Sequence, residues 1–336
     1  ANMASFGTRH IINPFEKFGE YMALALHSPA AYHLLLWLTG LPGTTVTRHR
    51  EPPEGKWVLC GYGTFGKVMT EALENAGLPV TIIDRAAPLA AAHSWIKGDG
   101  TGGEALRAAG IAEAVGIVAA TASDVNNLST VVTAREINPK LFTVLRQNHV
   151  ANRALFDAFE SDFAMVPAEI VAHECLAILT TPLLAPFLAF VRQADDAWAE
   201  TLLSELTGRF GWDVPTVWSV TLNISQAPSV YRLLMRNEAE LKLGELLRTP
   251  VTDLPPLSCT PLLLLREGDA PRLLPGLEEP IRLGDQLLLV GSETARKDLG
   301  LTLFNGHTLK FVLTGQDLPS GLVWEWLAAR RQVGGA

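Results

Sequence analysis

Residues Trp57 to Asp84 read WVLCGYGTFGKVMTEALENAGLPVTIID, and they constrain the fold more tightly than any other stretch. Trp57, Val58, Leu59 and Cys60 make a short apolar run expected as a buried strand, and Gly61, Gly63 and Gly66 follow it at G-x-G-x-x-G spacing. Thr64 to Ala76 reads as a helix, with Phe65, Val68, Met69, Ala72 and Leu73 at helical intervals and Gly77 as its stop. A second strand, Val80 to Ile83, delivers Asp84 at its tip, about 20 residues beyond the glycine turn. Strand, glycine turn, helix, strand and acid in that order predict a dinucleotide-binding α/β unit.

Each residue type has a physical task in such a unit. Gly61 permits the tight turn, Gly63 lets a pyrophosphate approach the backbone, and Gly66 lets helix and strand pack closely. Free amides and the positive dipole end of the helix face the phosphates. Asp84 is placed to accept hydrogen bonds from both hydroxyls of an adenosine ribose. A 2′-phosphate would meet that carboxylate, which disfavours NADP, although Arg85 beside it supplies a countercharge.

The 336 residues allow two or three domains. A hydrophobic content of 48% points to subunit interfaces. Met22 to Leu41 is interrupted by His27, Pro29 and His33, and Leu176 to Val191 by Thr180, Thr181, Pro182 and Pro186, so both read as buried or interface helices instead of membrane spans. With a net charge of −8 and no Lys/Arg cluster, nucleic acid is not an expected partner. Cys60, Cys175 and Cys259 are widely spaced, which fits a reducing compartment and argues against structural zinc.

Taken in order, residues 9–40 begin with a strand-like Ile11-Ile12 and continue as apolar helix broken at Pro29. Residues 162–191 repeat the plan at an offset of 153, which superimposes Pro14 on Pro167, Pro29 on Pro182, Glu16 on Glu169, Leu26 on Leu179 and Leu35 on Leu188. Residues 44–55 read as a linker. Further strands are expected at Ser94–Lys97, Gly116–Thr121, Leu141–Leu145 and Phe163–Val166, alternating with helices, among them an alanine-rich one carrying His93. Six alternating strands imply a doubly wound parallel sheet, with ligands at the strands' carboxyl ends. Gly98, Asp99, Gly100, Thr121 and Arg146 fall on that rim.

From residue 208 the pattern becomes a smaller α+β domain: a strand at Val217–Asn223, a helix at Ala239–Leu247, a hairpin from Pro261–Arg266 to Arg272–Leu274, a strand at Gln286–Val290 and a short helix at Glu293–Leu299. A hairpin over Leu301–Leu313 and an amphipathic helix with Leu322, Val323, Trp326 and Leu327 complete the expectation.

The residues GYGTFG, Asp84, Gly98-Asp99-Gly100-Thr101, Ala109-Gly110-Ile111, Thr121 with Asp124 and Asn126, Arg146, PAEIVAHECL from Pro167, LGELL and IRLGDQLLLVGS occur in the order found in RCK (regulator of K⁺ conductance) modules. Over about residues 56 to 300 the chain resembles that family, of the TrkA-N plus TrkA-C type. The resemblance implies a division into 1–43, the crossover tail of a preceding module; 44–55, linker; 56–166, nucleotide lobe; 167–207, crossover and dimerisation helices; 208–300, C-lobe; and 301–336, hairpin and helix. It implies a nucleotide site made by Gly61, Tyr62, Gly63, Thr64, Phe65, Gly66, Asp84, Arg85, Gly98, Asp99, Gly100, Thr121 and Arg146. It further implies NAD(H), or else ATP, ADP or AMP, as ligand. Ca²⁺ fits less well, because Arg146 and Gln147 end the fifth strand where calcium sensors cluster carboxylates. The partners it implies are further copies, as RCK dimers or a gating ring, and the membrane pore of a potassium channel or transporter, with this chain on the cytoplasmic side. The repeat at residues 9–40 points to the second module of a tandem-RCK channel; a separate peripheral subunit of a transporter is the other arrangement.

A dehydrogenase would need a proton-transfer residue beside its cofactor. His93, His149 and His173 read instead as structural or solvated groups, so a sensor is expected over the alternative, an NAD-dependent oxidoreductase. Arg146 reaches ligand phosphates or pairs with a carboxylate; Asp99 contacts the ligand or shapes its turn; Asp124 and Asn126 are helix-cap types.

Overall fold

The computed structural model describes residues 12–46, 50–86, 93–236, 240–250 and 255–316. The strands β1 (Trp57–Cys60), β2 (Val80–Asp84), β3 (Ser94–Lys97), β4 (Gly116–Ala119), β5 (Phe142–Arg146) and β6 (Phe163–Met165) form one parallel sheet in the order β3-β2-β1-β4-β5-β6. Every residue of β1 and β4 is buried, which is why both are continuous apolar runs without alternation. The connecting helices are α3 (Thr64–Asn75), α4 (Gly103–Ala108), α5 (Asp124–Ile137) and α6 (Arg153–Ala158). The doubly wound α/β reading therefore holds, with each expected strand displaced by at most two residues.

Two helices precede the sheet, α1 (Pro14–His27) and α2 (Pro29–Thr39). Asn13 caps α1 by accepting from the Phe15 amide at 3.1 Å. Phe15 and Phe18 lie 6.0 and 5.5 Å from the ring of Phe65, and a Cβ on Gly19 would come 2.4 Å from Val68 Cγ1, so α1 is pressed onto α3. After β6 comes α7 (Pro167–Thr180), then α8 (Leu184–Gln193) and α9 (Asp196–Phe210). Helices α1 and α7 each start on the equivalent proline and each run for 14 residues. The Tyr21 hydroxyl donates to Glu174 Oε1 at 2.7 Å, and these two residues are 153 apart. Positions related by the 153-residue offset thus meet at this hydrogen bond. Burial, and then the Glu174 carboxylate, push the Tyr21 phenol far above its ordinary pKa.

The chain forms two compact units: one from residues up to Gly40 with Val46–Leu176 and Val191–Gly208, the other from Leu41–Thr45, Ala177–Phe190 and Arg209 onward. The segment 167–207 contributes to both. In the second unit β7 (Thr216–Thr221), α10 (Pro228–Met235), α11 (Leu243–Leu246), β8 (Cys259–Leu265), β9 (Arg272–Leu273), β10 (Gln286–Gly291), α12 (Glu293–Phe304) and α13 (Gly306–Thr314) follow in order, with an antiparallel sheet β7-β10-β8-β9. Arg266 holds its turns together by a two-oxygen pairing with the buried Asp285 at 2.8 Å and a third bond to the Pro280 carbonyl.

Several expectations fail here for identifiable reasons. Leu301 to Leu313 is two helices and not a hairpin: Asn305 ends α12 and caps α13 by accepting from the His307 and Thr308 amides, so the Asn-Gly pair is a helix junction. The expected helix Ala239–Leu247 shrinks to α11, because Lys242 bridges to Pro280 in extended conformation. Helix α10 was not read, since Pro228 sits at its first position and not at a break. His93 stands in a bend before β3 and not on a helix. Ile11, residues 87–92 of the alanine-rich stretch, and the helix around Trp326 lie outside the described residues.

Replacing Gly19 by Leu should destabilise the chain by about 1–3 kcal/mol in urea unfolding, because Val68 must move to admit the side chain. Burial, with a smaller push from Asp99, raises the Cys60 thiol to about 12; burial, opposed by Arg209, raises Cys259 to about 11; Cys175 is exposed. Iodoacetamide at about pH 8 should therefore label Cys175 alone in the folded chain, and all three cysteines only in denaturant, as mass spectrometry of the tryptic peptides will show.

Candidate functional site

The strand order reverses between β1 and β4, and over that point lies a cleft of about 280 Å³. It is lined by Gly61 and Gly63 after β1, Asp84 and Arg85 after β2, Gly98 and Asp99 after β3, Thr121 and Asn126 after β4, and Arg146 at the end of β5. Five strand ends thus converge where open α/β sheets place ligands.

The glycine turn has the geometry its spacing requires. Gly61 has φ +97°, the space around a Cβ on Gly63 is open, and a Cβ on Gly66 would lie 2.0 Å from the Gly61 carbonyl oxygen. Gly63 is the N-cap of α3 and no side chain caps the helix, so its first-turn amides are not satisfied by a capping group. Asp84 accepts from the Tyr62 amide through Oδ2 at 2.7 Å and from the Ala86 amide through Oδ1 at 2.8 Å. Both oxygens are fixed, and each keeps a lone pair for a further donor.

Not all of the residues named from the sequence line this cleft. Tyr62 turns its ring against Trp95, 4.8 Å away edge to face, and Phe65 is fully buried beneath Phe15 and Phe18. Thr64 is the exposed first residue of α3, Gly66 is buried against the turn, and Gly100 lies against Cys60. These five support the cleft's walls instead of facing its interior. Asp99 shapes its own turn, accepting from both the amide and the hydroxyl of Thr101, and also pairs with Arg85 at 3.2 Å; these donors hold its carboxyl below the usual range.

Of the residues that tie the rim together, Asp124 belongs to the motif read from the sequence and Asn127 does not. Asn127 is fully buried; its Oδ1 accepts from the Thr121 amide and hydroxyl, and its Nδ2 donates to the carbonyls of Thr121 and Arg146. One side chain therefore locks the end of β4 to the end of β5. The cap of α5 is Ser123, not Asp124 or Asn126. Buried Asp124 instead accepts from the amides of Asn148 and His149 and from the side chains of Asn148 and Asn152. Burial pushes its carboxyl up, but those donors outweigh it and the pKa stays below the ordinary value. The Arg146 guanidinium lies 4.8 Å over the Phe15 ring, and its Nε is buried without a hydrogen bond; burial lowers its pKa, opposed by Asp124. An Asn three residues into a helix gives no sequence signal of this role, since a solvated polar residue reads the same way.

Neither His93 nor His149 lines the cleft: His93 bonds Glu74 at 2.8 Å, and His149 meets Asp124 through its backbone. Among the described residues, no group of three His, Cys, Asp or Glu is placed to hold a metal ion, and no helix is long and apolar enough to cross a membrane.

The family model of the TrkA-N domain matches residues 57–167, which contain the whole parallel sheet. Residues 57–167 form a TrkA-N domain. Similar proteins include potassium channel protein 1 of Methanocaldococcus jannaschii, 26% identical over 139 residues, 39% of this chain and 42% of that one. The Trk system potassium uptake protein TrkA homolog of Pyrococcus abyssi is 29% identical over 136 residues, 37% of this chain and 60% of that one. A solved structure of the GsuK channel bound to NAD is 23% identical and has a TM-score of 0.37, with 76% of this chain and 40% of that one covered. The chain matches less than two thirds of the length of each of these relatives.

In the TrkA-N domain, Asp124→Ala should remove the acceptor of the part-buried Asn148 and His149 amides and cost about 1–2 kcal/mol at neutral pH. Because the folded-state pKa of Asp124 is depressed, its contribution is complete above the unfolded value near 3.9 and is lost as the pH falls through the folded value. Urea midpoints of the parent chain and Asp124→Ala should therefore differ most at neutral pH and draw together in acid, as the pH falls through the depressed folded-state pKa.

Proposed function

We propose that this chain is a ligand-sensing regulatory module that binds an adenine nucleotide in the cleft between β1 and β4 and so controls potassium flux through a pore formed elsewhere. The observation that carries the reading is the pairing of Asp84 with the glycine turn. A carboxylate clamped by two backbone amides stands at one end of the cleft, and the uncapped first turn of α3 stands at the other. Ribose hydroxyls and phosphates are the groups complementary to those two ends. Arg146, charged and lacking a partner at Nε, is the candidate for a phosphate oxygen.

The cleft volume of about 280 Å³ lies at the lower edge of ligand sites, roughly 300–1,000 Å³. That size favours recognition of the adenosine and phosphate portion that NAD(H), ATP, ADP and AMP share. Arg85 is engaged with Asp99, which leaves Asp84 to decide the ribose end and disfavours a 2′-phosphate. The similarity to potassium channel and Trk uptake proteins supports assigning potassium as the regulated ion. On this reading the module sits on the cytoplasmic side of the membrane and acts in dimers or a ring. The duplicated α1 and α7, meeting through Tyr21 and Glu174, support a tandem arrangement.

Regulation follows from population shift: a nucleotide that binds one module conformation more tightly biases the pore. A tenfold difference in affinity supplies about 1.4 kcal/mol per site, so several modules must act together to move a gate from mostly closed to mostly open.

A thermal-shift series with NAD⁺, NADH, NADP⁺, ATP, ADP, AMP and Ca²⁺ tests the site. Ligand at 100 times its dissociation constant should add about 2.7 kcal/mol of stability. Stabilisation by one or more adenine nucleotides but not by NADP⁺, lost in Asp84→Ala, is the expected result. A chain that no nucleotide stabilises would refute the proposal.

A further inference from the structure

A second cavity, of about 470 Å³, lies within the same unit and is built from different residues. Its walls come from α1, α2, the segment from α6 to β6, and the start of α7. That volume is within the range of small-molecule sites. None of the residues facing the nucleotide cleft lines it.

Two polar side chains on its walls are more than nine-tenths buried as residues, and each has an oxygen that no protein donor or acceptor meets. Tyr32 is 8% exposed, and its hydroxyl makes no hydrogen bond. Gln147 is 2% exposed; its Nε2 donates to the His149 carbonyl at 2.9 Å, which fixes the amide's orientation because that carbonyl only accepts. No protein donor reaches its Oε1, which stays accessible. A ligand N–H placed there meets an acceptor that no protein group uses.

The rest of the lining narrows the chemistry. The rings of Phe18, Tyr32, Phe156 and Phe163 gather at this cavity, with Phe163 5.3 Å from Tyr32 and 6.5 Å from Phe18. The charged groups on it are Asp157, Glu160, Asp162 and Glu169 against Arg153. Arg153 is already committed to Glu169 and approaches Asp157 at 3.8 Å. Asp162 accepts from Thr143 and pairs with Arg50 at 3.9 Å, which leaves four carboxylates against two guanidiniums. The cavity therefore carries excess negative charge beside aromatic rings and an acceptor that no protein donor uses. Phosphates and carboxylates are repelled; a cation with N–H donors and an apolar body meets every feature.

We propose that this cavity is a second ligand site, distinct from the nucleotide cleft, that takes a small organic ammonium compound with an aromatic or aliphatic body. The ammonium donates to Gln147 Oε1 and Tyr32, and the body lies among the rings.

The test compares 2-phenylethylammonium with phenylacetate, which share a ring and differ in charge, by saturation-transfer NMR and calorimetry on the full 336-residue chain. The expected result is saturable binding of the ammonium at about 1 mM or tighter, and at least about tenfold weaker binding of the carboxylate. Ile170→Trp, which fills the cavity, should abolish binding while leaving nucleotide stabilisation in place. Gln147→Met, which removes the acceptor at similar volume, should weaken binding by about tenfold, and Tyr32→Phe serves if that variant does not fold. Equal affinity for the two probes, no saturable binding of the ammonium, or binding undiminished in Ile170→Trp would overturn the site. Because nucleotide binding is read separately, loss of this site and failure of the nucleotide reading are distinguishable.

Discussion

Where α3 crosses the end of β1, the two backbones approach so closely that a Cβ on Gly66 would collide with the Gly61 carbonyl oxygen. That single contact sets the height of α3 over the sheet. With α3 so placed, Phe65 drops into the core and forms the surface on which Phe15 and Phe18 of α1 pack. The position of the phosphate-facing amides and the seat of the N-terminal helix pair are consequences of one steric requirement. Any larger residue at Gly66 disturbs both.

The cleft depends on a second, polar device. Parallel strands end in carbonyls that no neighbour in the sheet satisfies, and the loops after β4 and β5 must be held by side chains. Asn127 answers for Thr121 and Arg146, and Asp124 for Asn148 and His149. Because both residues sit in the first turns of α5, one helix fixes two strand ends. Arg146, pinned by its backbone to Asn127 and by its guanidinium to the Phe15 ring, links the cleft physically to α1. A ligand that draws on Arg146 therefore acts on the same helix that Gly66 positions.

The sequence made the α/β half legible because its signals are local. The glycine spacing, the apolar run of β1 and the acid at the tip of β2 each report on a backbone requirement within about 25 residues. The second unit was harder. Asn305-Gly306 has the composition of a hairpin turn and the geometry of a helix junction, and only the amides of His307 and Thr308 distinguish the two. Pro228 opens α10, a helix with no expectation from the sequence, since proline's fixed φ suits the first helical position. The rim residues were legible in part: Asp84, Asp99 and Arg146 fell at strand ends, whereas Tyr62 and Phe65, inside the same motif, point away from the cleft.

The amino-acid sequence by itself determined the parallel sheet, the glycine turn and the proline-led helices α1 and α7, because strand burial, positive φ and helical period are written into neighbouring residues. Only the tertiary structure decided which side chains face the cleft, that Asn127 and Asp124 hold its rim, and that Tyr32 and Gln147 share a second cavity. Those facts depend on contacts between residues far apart in the chain, such as Tyr32 with Phe163 and Asn127 with Arg146, for which no local pattern exists.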